Sequence, residues 1–337
     1  MASPKVDMFR AMRDMPLTSV EFCAGAGGQA LGLELAGFRH QLLVEIDPDC
    51  CATLRLNRPD WNVVQADMNA FTAPSELAPD LFAAGLPCPP FSIAGKQLGR
   101  DDERDLFPAA LRLIATMRPK AVLIENVRGF LSRSFTEYRE SLKSAFRGLG
   151  YLVDWRLLDA KHFGVSQSRS RVAIVAARPD IWRHFEFPEA SHDVPVDVGL
   201  LLADLMAANG WEGVDQWRQK AKGPAPTIVG GSKKHGGPDL GPTRARAAWR
   251  QMGVNGGSIA ETAPMPGFSD LPRLTNRMVA RLQGFPDTWQ FTGKKTAAYR
   301  QIGNAFPPPV ACAIGEALAT AIDSARVEQK TKMVAAE

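Results

Sequence analysis

A chain of 337 residues, 45% hydrophobic and carrying a formal charge of +4, has room for one large domain and a smaller one; its composition is not that of a disordered or fibrous chain. Its five cysteines (Cys23, Cys50, Cys51, Cys88 and Cys312) form no CxxC pair, which argues against a secreted disulfide scaffold and against a zinc cluster, so no metal is expected. The opening residues carry no apolar signal region and no long apolar span follows, so a reduced, cytoplasmic setting without a membrane is expected.

From Leu17 onward, short apolar runs alternate with helix-like segments. That is the pattern of βαβ units around a mostly parallel, doubly wound sheet, a Rossmann-like α/β fold. Residues 18–23 are predicted as the first strand, followed by a glycine loop and a helix over 29–36 that stops at Gly37. Residues 41–45 form the second strand. Asp47-Pro48 then opens a helix, with aspartate as the N-cap and proline in the first turn. A short strand near Val63-Val64 ends at Asp67, and residues 81–84 and 121–124 supply two more. Residues 135–147 read as an amphipathic helix ended by glycines, and 152–158 with 172–176 as an antiparallel hairpin at the sheet edge.

Past Arg178-Pro179 the texture changes to frequent proline and glycine with gathered basic residues: Arg218, Lys220, Lys222, Lys233, Lys234, Arg244, Arg246 and Arg250. Trp217, His235 and Trp249 are interleaved with them. Such a stretch is either a solvated surface or the electropositive face of a nucleic-acid contact, with Lys233, Lys234, Arg244 and Arg246 as candidate groove or phosphate contacts. The α/β texture returns at Ile302, with a helix over 310–322. The expected organisation is a discontinuous domain of residues 1–180 plus 300–337, interrupted by a loop-rich domain over 181–299.

Four stretches carry candidate chemistry. Cys88 lies between prolines in Pro87-Cys88-Pro89, just past an apolar strand. Proline fixes φ and removes a donor, so the thiol is held on a stiff loop beyond a strand's carboxyl end, where open α/β sheets bind ligands. Cys88 is the candidate nucleophile. The loop Phe22-Cys23-Ala24-Gly25-Ala26-Gly27-Gly28 lets a ligand approach backbone at a helix N-terminus, and Glu45 stands where an acid grips a ribose. Both a dinucleotide and the methyl donor S-adenosylmethionine satisfy that pattern. Asp67 is either an adenine contact or a helix cap. Glu125, at the end of its strand, is a candidate proton donor if burial raises its pKa. Arg169 and Arg171, spaced by two on an extended segment, are placed to clamp a phosphate or a base oxygen.

Taken together, Pro87-Cys88, Phe91-Ser92, Glu125-Asn126-Val127 and Gln167-Ser168-Arg169-Ser170-Arg171 resemble the C5-cytosine DNA methyltransferase family. So do Arg281-Leu282-Gln283-Gly284-Phe285-Pro286-Asp287 and Gln301-Ile302-Gly303-Asn304-Ala305-Phe306-Pro307-Pro308, in the same order. Two departures stand out: Cys23 where the family carries phenylalanine, and Pro89 where it carries glutamine. The resemblance implies methyl transfer from S-adenosylmethionine to C5 of a cytosine flipped out of duplex DNA, through a Cys88 adduct, with 181–299 as target-recognition domain. It also implies cofactor contacts at Ile46, Met68, Pro87, Asn304 and Ala305, and DNA contacts at Ser92, Gln167 and Arg273. A monomer acting in a prokaryotic or phage-like restriction–modification system, with or without a cognate endonuclease, is the expected setting, since no long extension precedes the motifs. A tRNA cytosine methyltransferase, a NAD-dependent oxidoreductase and a catalytically silent DNA-binding relative are the alternatives.

Overall fold

The apolar runs of the first half are continuous rather than alternating because they become strands covered on both faces. The computed structural model describes residues 16–87, 105–190, 194–231 and 237–334. Its strands are β1 (Leu17–Phe22), β2 (Phe38–Glu45), β3 (Val63–Gln65), β4 (Leu81–Gly85), β5 (Ala121–Val127), β6 (Leu152–Asp159) and β7 (Ser170–Ala177). They form one sheet in the order β3-β2-β1-β4-β5-β7-β6. The first five strands run parallel; β7 is antiparallel to both β5 and β6, as the predicted edge hairpin requires. Pairing lengthens several strands beyond their apolar runs, two of them by three residues at one end. β2 begins at Phe38, opposite Leu17, and β5 continues through Glu125 to Val127 because β7 pairs with it there.

Helices α1 (Gly28–Leu35), α2 (Pro48–Asn57), α3 (Phe107–Met117) and α4 (Thr136–Gly148) follow the strands. Asp47 caps α2 as expected, its side chain accepting from the Asp49 amide. Helix α3 is absent from the sequence-based expectations, although its buried Phe107, Ala110, Leu113, Ile114 and Met117 have helical spacing. Together α3 and α4 cover one sheet face, where Phe107, Leu113 and Phe146 pack with Phe22, Phe82 and Val122. The other face takes α1 and the last helix, α11 (Pro308–Val334). There Leu33, Ile314 and Leu318 meet Leu81, Leu123 and Val175. A Cβ on Gly32 would stand 2.5 Å from that of Ala311, and one on Gly315 would stand 2.7 Å from that of Ala36, so α1 and α11 approach at glycines. Helix α11 runs twelve residues past its predicted end, because Ala325 is still buried and Arg326 pairs with Asp80 at 2.9 Å. Among the described residues one helical stretch, Lys295–Val334, is long and apolar enough to cross a membrane, but 67% of its most apolar window is buried inside the molecule, as in a core helix.

Between β7 and α11 lie short helices: α5 (Pro179–Trp182), α6 (Val198–Met206), α7 (Val214–Lys220), α8 (Thr243–Gln251), α9 (Asn276–Leu282) and α10 (Lys295–Asn304). Their core gathers Leu202, Trp211, Trp217, Leu240, Trp249 and Leu274, and it is continuous with Leu31, Cys51 and Leu54 of α1 and α2. Trp217 and Trp249, which in sequence alternate with the basic residues, are therefore packing residues at 4% and 0% exposure and present no ring to a nucleic acid. Basic side chains of α7 and α8 (Arg218, Lys220, Arg244, Arg246 and Arg250) are exposed on the outer sides of these helices.

Candidate active site

The strand order turns in opposite directions between β1 and β4, and a sheet of this kind opens a crevice beyond the carboxyl ends of the two strands at that point. Phe22 is in register with Ala84, so the loops leaving β1 and β4 start side by side. Gly85, three positions before Cys88, is in register with Glu125 of β5. Glu125 in turn faces Ala173, and Val127 faces Arg171, on β7. The glycine loop, Pro87, Glu125 and Arg171 thus converge at one end of the sheet, from positions far apart in the chain. Cys88, Ser92, Lys233 and Lys234 lie outside the described residues; Pro87, the neighbour of Cys88, is half-buried.

The glycine loop owes its shape to three different demands. Cys23 and Gly25 both take left-handed backbone, at φ 52° and 53°, and a Cβ on Gly25 would meet nothing within 4 Å. Among the described residues, none crowds Gly25 on its crevice side. At Gly27 (φ 85°) a Cβ would lie 2.7 Å from Leu54 and 2.9 Å from the Trp289 ring, and at Gly28 it would strike the Phe306 carbonyl. Those two glycines serve packing. Glu45, at the end of β2, is buried; its Oε2 accepts from the Gly25 amide at 2.7 Å and its Oε1 from the Asp47 amide at 2.8 Å. Burial pushes its carboxyl above the usual range, while the amides of Asp47, Gly25 and Ile46 pull it back. The carboxylate keeps acceptor capacity beyond these bonds, as a ribose diol requires. Ile46, next in the chain, is 61% exposed and offers an apolar surface to a planar base. Cys23 is half-buried with Sγ 3.9 Å from Met68 Sδ, and burial drives its thiol well above the ordinary range, leaving it an unreactive contact. Asp67 is exposed, and its Oδ1 accepts from the Asn69 amide.

Glu125 is 6% exposed, and its Oε1 stands 2.8 Å from Arg171 Nε. Burial raises its pKa, against which the guanidinium groups of Arg171 and Arg169 act. A carboxyl so placed is poised to hold a proton while a cation fixes its orientation.

Several expected site residues are placed differently. Phe22 belongs to the core, stacked on Phe82 at 5.2 Å with Phe71 edge-on at 5.4 Å, so its ring is not on the cofactor rim. Arg169 precedes β7 and does not share the outlook of Arg171. It is wholly buried, Nη1 donating to the Ile228 carbonyl at 2.6 Å and Nη2 to those of Gly303 (2.8 Å) and Ala305 (3.0 Å). Gln167 is also fully buried; its Nε2 donates to the Leu282 carbonyl and to Gln283, and its Oε1 accepts from the Ile228 amide. Neither is presented to a DNA surface. Arg244, Arg246 and Arg273 are exposed. Asn304 is exposed with Nδ2 donating to the Gly231 carbonyl, and Ala305 is buried.

Sequence reasoning passed over Trp289. Its indole N–H donates to the Ala26 carbonyl at 3.2 Å, and Arg58 lies 5.3 Å from its ring centre. This clamps the glycine loop from a segment 263 residues away in the chain. No local pattern signals such a contact.

The family model described as C-5 cytosine-specific DNA methylase matches residues 17–320. The Type II methyltransferase M.NgoMIV of Neisseria gonorrhoeae is 52% identical over 311 residues, covering 91% of this chain and 99% of that protein. The Type II methyltransferase M.NaeI of Lentzea aerocolonigenes is 51% identical over 313 residues, 91% of this chain and 76% of its own. Among solved structures, a protein described as a DNA modification methyltransferase encoded within an Escherichia coli prophage superposes with a TM-score of 0.64 at 21% identity, covering 90% of this chain and 98% of that one. Spodoptera frugiperda DNMT2 superposes at 0.63 with 18% identity, over 90% and 99%. These two support the fold. The strand order, the convergence of the motifs on one crevice, and the two bacterial relatives agree: this chain belongs to the C-5 cytosine-specific DNA methylase family and is a DNA (cytosine-5-)-methyltransferase, not a dehydrogenase.

Proposed function

We propose that the chain transfers a methyl group from S-adenosylmethionine to C5 of a cytosine extruded from duplex DNA, through a transient bond between Cys88 and C6 of the base. The observation that carries this reading is the placement of Glu125. It is buried, its pKa is raised, Arg171 holds it, and it lies in register with Gly85 on the strand that leads into Cys88.

The crevice suits the methyl donor. Glu45 would hold the ribose, Ile46 would cover a face of the adenine, the Cys23–Met68 sulfurs would border it, and the open side of Gly25 admits the amino-acid portion. The bound donor supplies an electrophilic methyl group on a sulfonium. C5 of cytosine is a weak nucleophile, and addition of the Cys88 thiolate at C6 converts the ring to an enamine. Glu125, bonded at N3 and the exocyclic amine, relieves the negative charge pushed into the ring, and Arg171 engages O2 or the adjoining phosphate. C5 then takes the methyl group, loses its proton to a base, and the thiolate leaves. A paired cytosine is out of reach of these groups, so it must leave the stack, at a cost of a few kcal/mol.

Residues 1–180 with 300–337 form the catalytic domain and 181–299 the target-recognition domain, whose exposed arginines supply phosphate or groove contacts. The names of the Type II relatives support a place in restriction–modification. Bisulfite sequencing of plasmid DNA from cells expressing the chain identifies the methylated site. A duplex with 5-fluorocytosine at that site, with methyl donor, is then expected to become covalently attached to the wild type and not to Cys88→Ala. Absence of the adduct with the wild type overturns the mechanism.

A further inference from the structure

Segment 166–169, just before β7, is joined to segment 225–228 along its whole length. The Ser168 amide donates to the Ala225 carbonyl at 2.9 Å and the Ala225 amide to the Ser166 carbonyl at 2.8 Å. Thr227 Oγ1 donates to the Ser168 carbonyl, and Gln167 takes the Ile228 amide. Arg169 closes the array by gripping Ile228, Gly303 and Ala305 through their carbonyl oxygens. A Cβ on Gly303 would lie 2.6 Å from Gly230, so the chain on either side of Arg169's carbonyls is in backbone contact. Gln283 Nε2 donates to the Ile302 carbonyl and ties the same turn to α9.

These three bonds of Arg169 go to main chain, and the side chain has no solvent exposure. A guanidinium carries its five donors in a rigid fork, so one residue can hold two separate strands of backbone at a set distance. Two residues on, Arg171 holds Glu125. Resting on the reading of Glu125 and Arg171 as the base site, we propose that Arg169 is a positioning residue. It sets the 228–231 segment, the entry to the basic region, and the 303–305 turn against the Glu125–Arg171 pair, and touches neither base nor phosphate. DNA engagement and the proton-holding carboxyl are thereby aligned through a single buried cation.

The test uses the duplex defined by bisulfite sequencing and the same duplex with an abasic target position. Arg169→Lys keeps the charge but offers a point donor in place of the fork. It is expected to weaken binding to both duplexes by the same factor, about tenfold or more for the loss of a charge-assisted bond. The single-turnover methylation rate at saturating DNA, normalised to active sites, falls as well, which a loss of folded protein alone would not produce. A loss of affinity confined to the cytosine duplex, or none on either, overturns the proposal. Should the lysine chain fail to fold, Gln167→Leu, which cuts the parallel tie to Ile228, must give the same base-independent loss, or the proposal fails. Arg171→Lys serves as the contrast. A base-dependent loss is expected there, and a base-independent one refutes the assignment of the base site while leaving the Arg169 result to be judged on its own.

Discussion

Glu125→Gln isolates the proton from the shape. Glutamine is nearly isosteric, and its amide oxygen keeps the contact with Arg171, whose side chain is 14% exposed against 7% for Glu125. Losing the pair altogether at such burial would cost about 3–5 kcal/mol. With the acceptor retained, the cost falls to that of exchanging a charged for a neutral contact, about 1 kcal/mol. The chain therefore remains folded, with a melting temperature a few degrees lower. Activity suffers more, because positioned acid–base groups contribute about 100- to 10,000-fold in rate. Burial raises the Glu125 pKa, so the carboxyl keeps its proton to higher pH than an exposed one and gives it up as pH rises through that raised value. The wild-type rate should accordingly decline along an alkaline limb that the glutamine variant lacks. The assay is methyl transfer from radiolabelled donor to the bisulfite-defined duplex across pH, beside thermal melting. A variant within about tenfold of wild type that shows the same alkaline limb would refute the proton-holding role, since that is well short of the usual general-acid contribution.

Asp80 joins the starts of β1, β4 and β5 to α11: its carboxylate accepts from the Thr18 amide at 2.8 Å, Lys120 at 2.6 Å and Arg326 at 2.9 Å. Burial raises its pKa, but Lys120, the Thr18 amide and Arg326 outweigh it and leave the value lowered. A depressed folded-state pKa adds stability that is whole above the unfolded value, about 3.9, and is lost as pH falls through the folded one. Asp80→Asn should thus lower the melting temperature by a constant amount at neutral pH, with the difference from wild type closing in acid; a gap that widens in acid contradicts the account. At the α1–α11 contact, Gly32→Ala places a Cβ 2.5 Å from Ala311 and 2.8 Å from the Cys312 amide nitrogen. Such overpacking costs about 1–3 kcal/mol. Gly148→Ala, at the end of α4 where an added Cβ meets none of the described residues within 4 Å, should instead stabilise by about 0.4–1 kcal/mol. Denaturant melts of the two variants check both signs, and equal effects would refute the packing argument.

Much of the architecture is local in origin. Continuous apolar runs at 81–84 and 121–124 read as buried strands and are so, and Asp47-Pro48 opens α2 through its own side chain and ring. The Gly25 turn, the acid ending β2 and the acid beyond residues 121–124 stand at fixed offsets from those runs, so the glycine loop, Glu45 and Glu125 were legible from spacing. The outlook of a long side chain was not. Arg169 and Arg171 look equivalent on an extended segment, yet Arg171 meets Glu125 while Arg169 turns to carbonyls 59, 134 and 136 positions away in the chain. Phe22 lies in the same loop stretch as Cys23, but neighbouring rings of Phe82 and Phe71 draw it into the core. Trp217 and Trp249 read as interleaved with cations and proved to be the centre of a hydrophobic cluster.

What the chain determined by itself was therefore strand, turn and the chemistry available at each strand end, because backbone preference and apolar period act over a few residues. Tertiary structure alone decided which of those groups share a crevice, which arginine is a strut, and how Trp289 closes on Ala26. Those outcomes depend on burial by elements distant in sequence, and the desolvation that raises the Glu125 pKa exists only once the sheet and its covering helices are assembled.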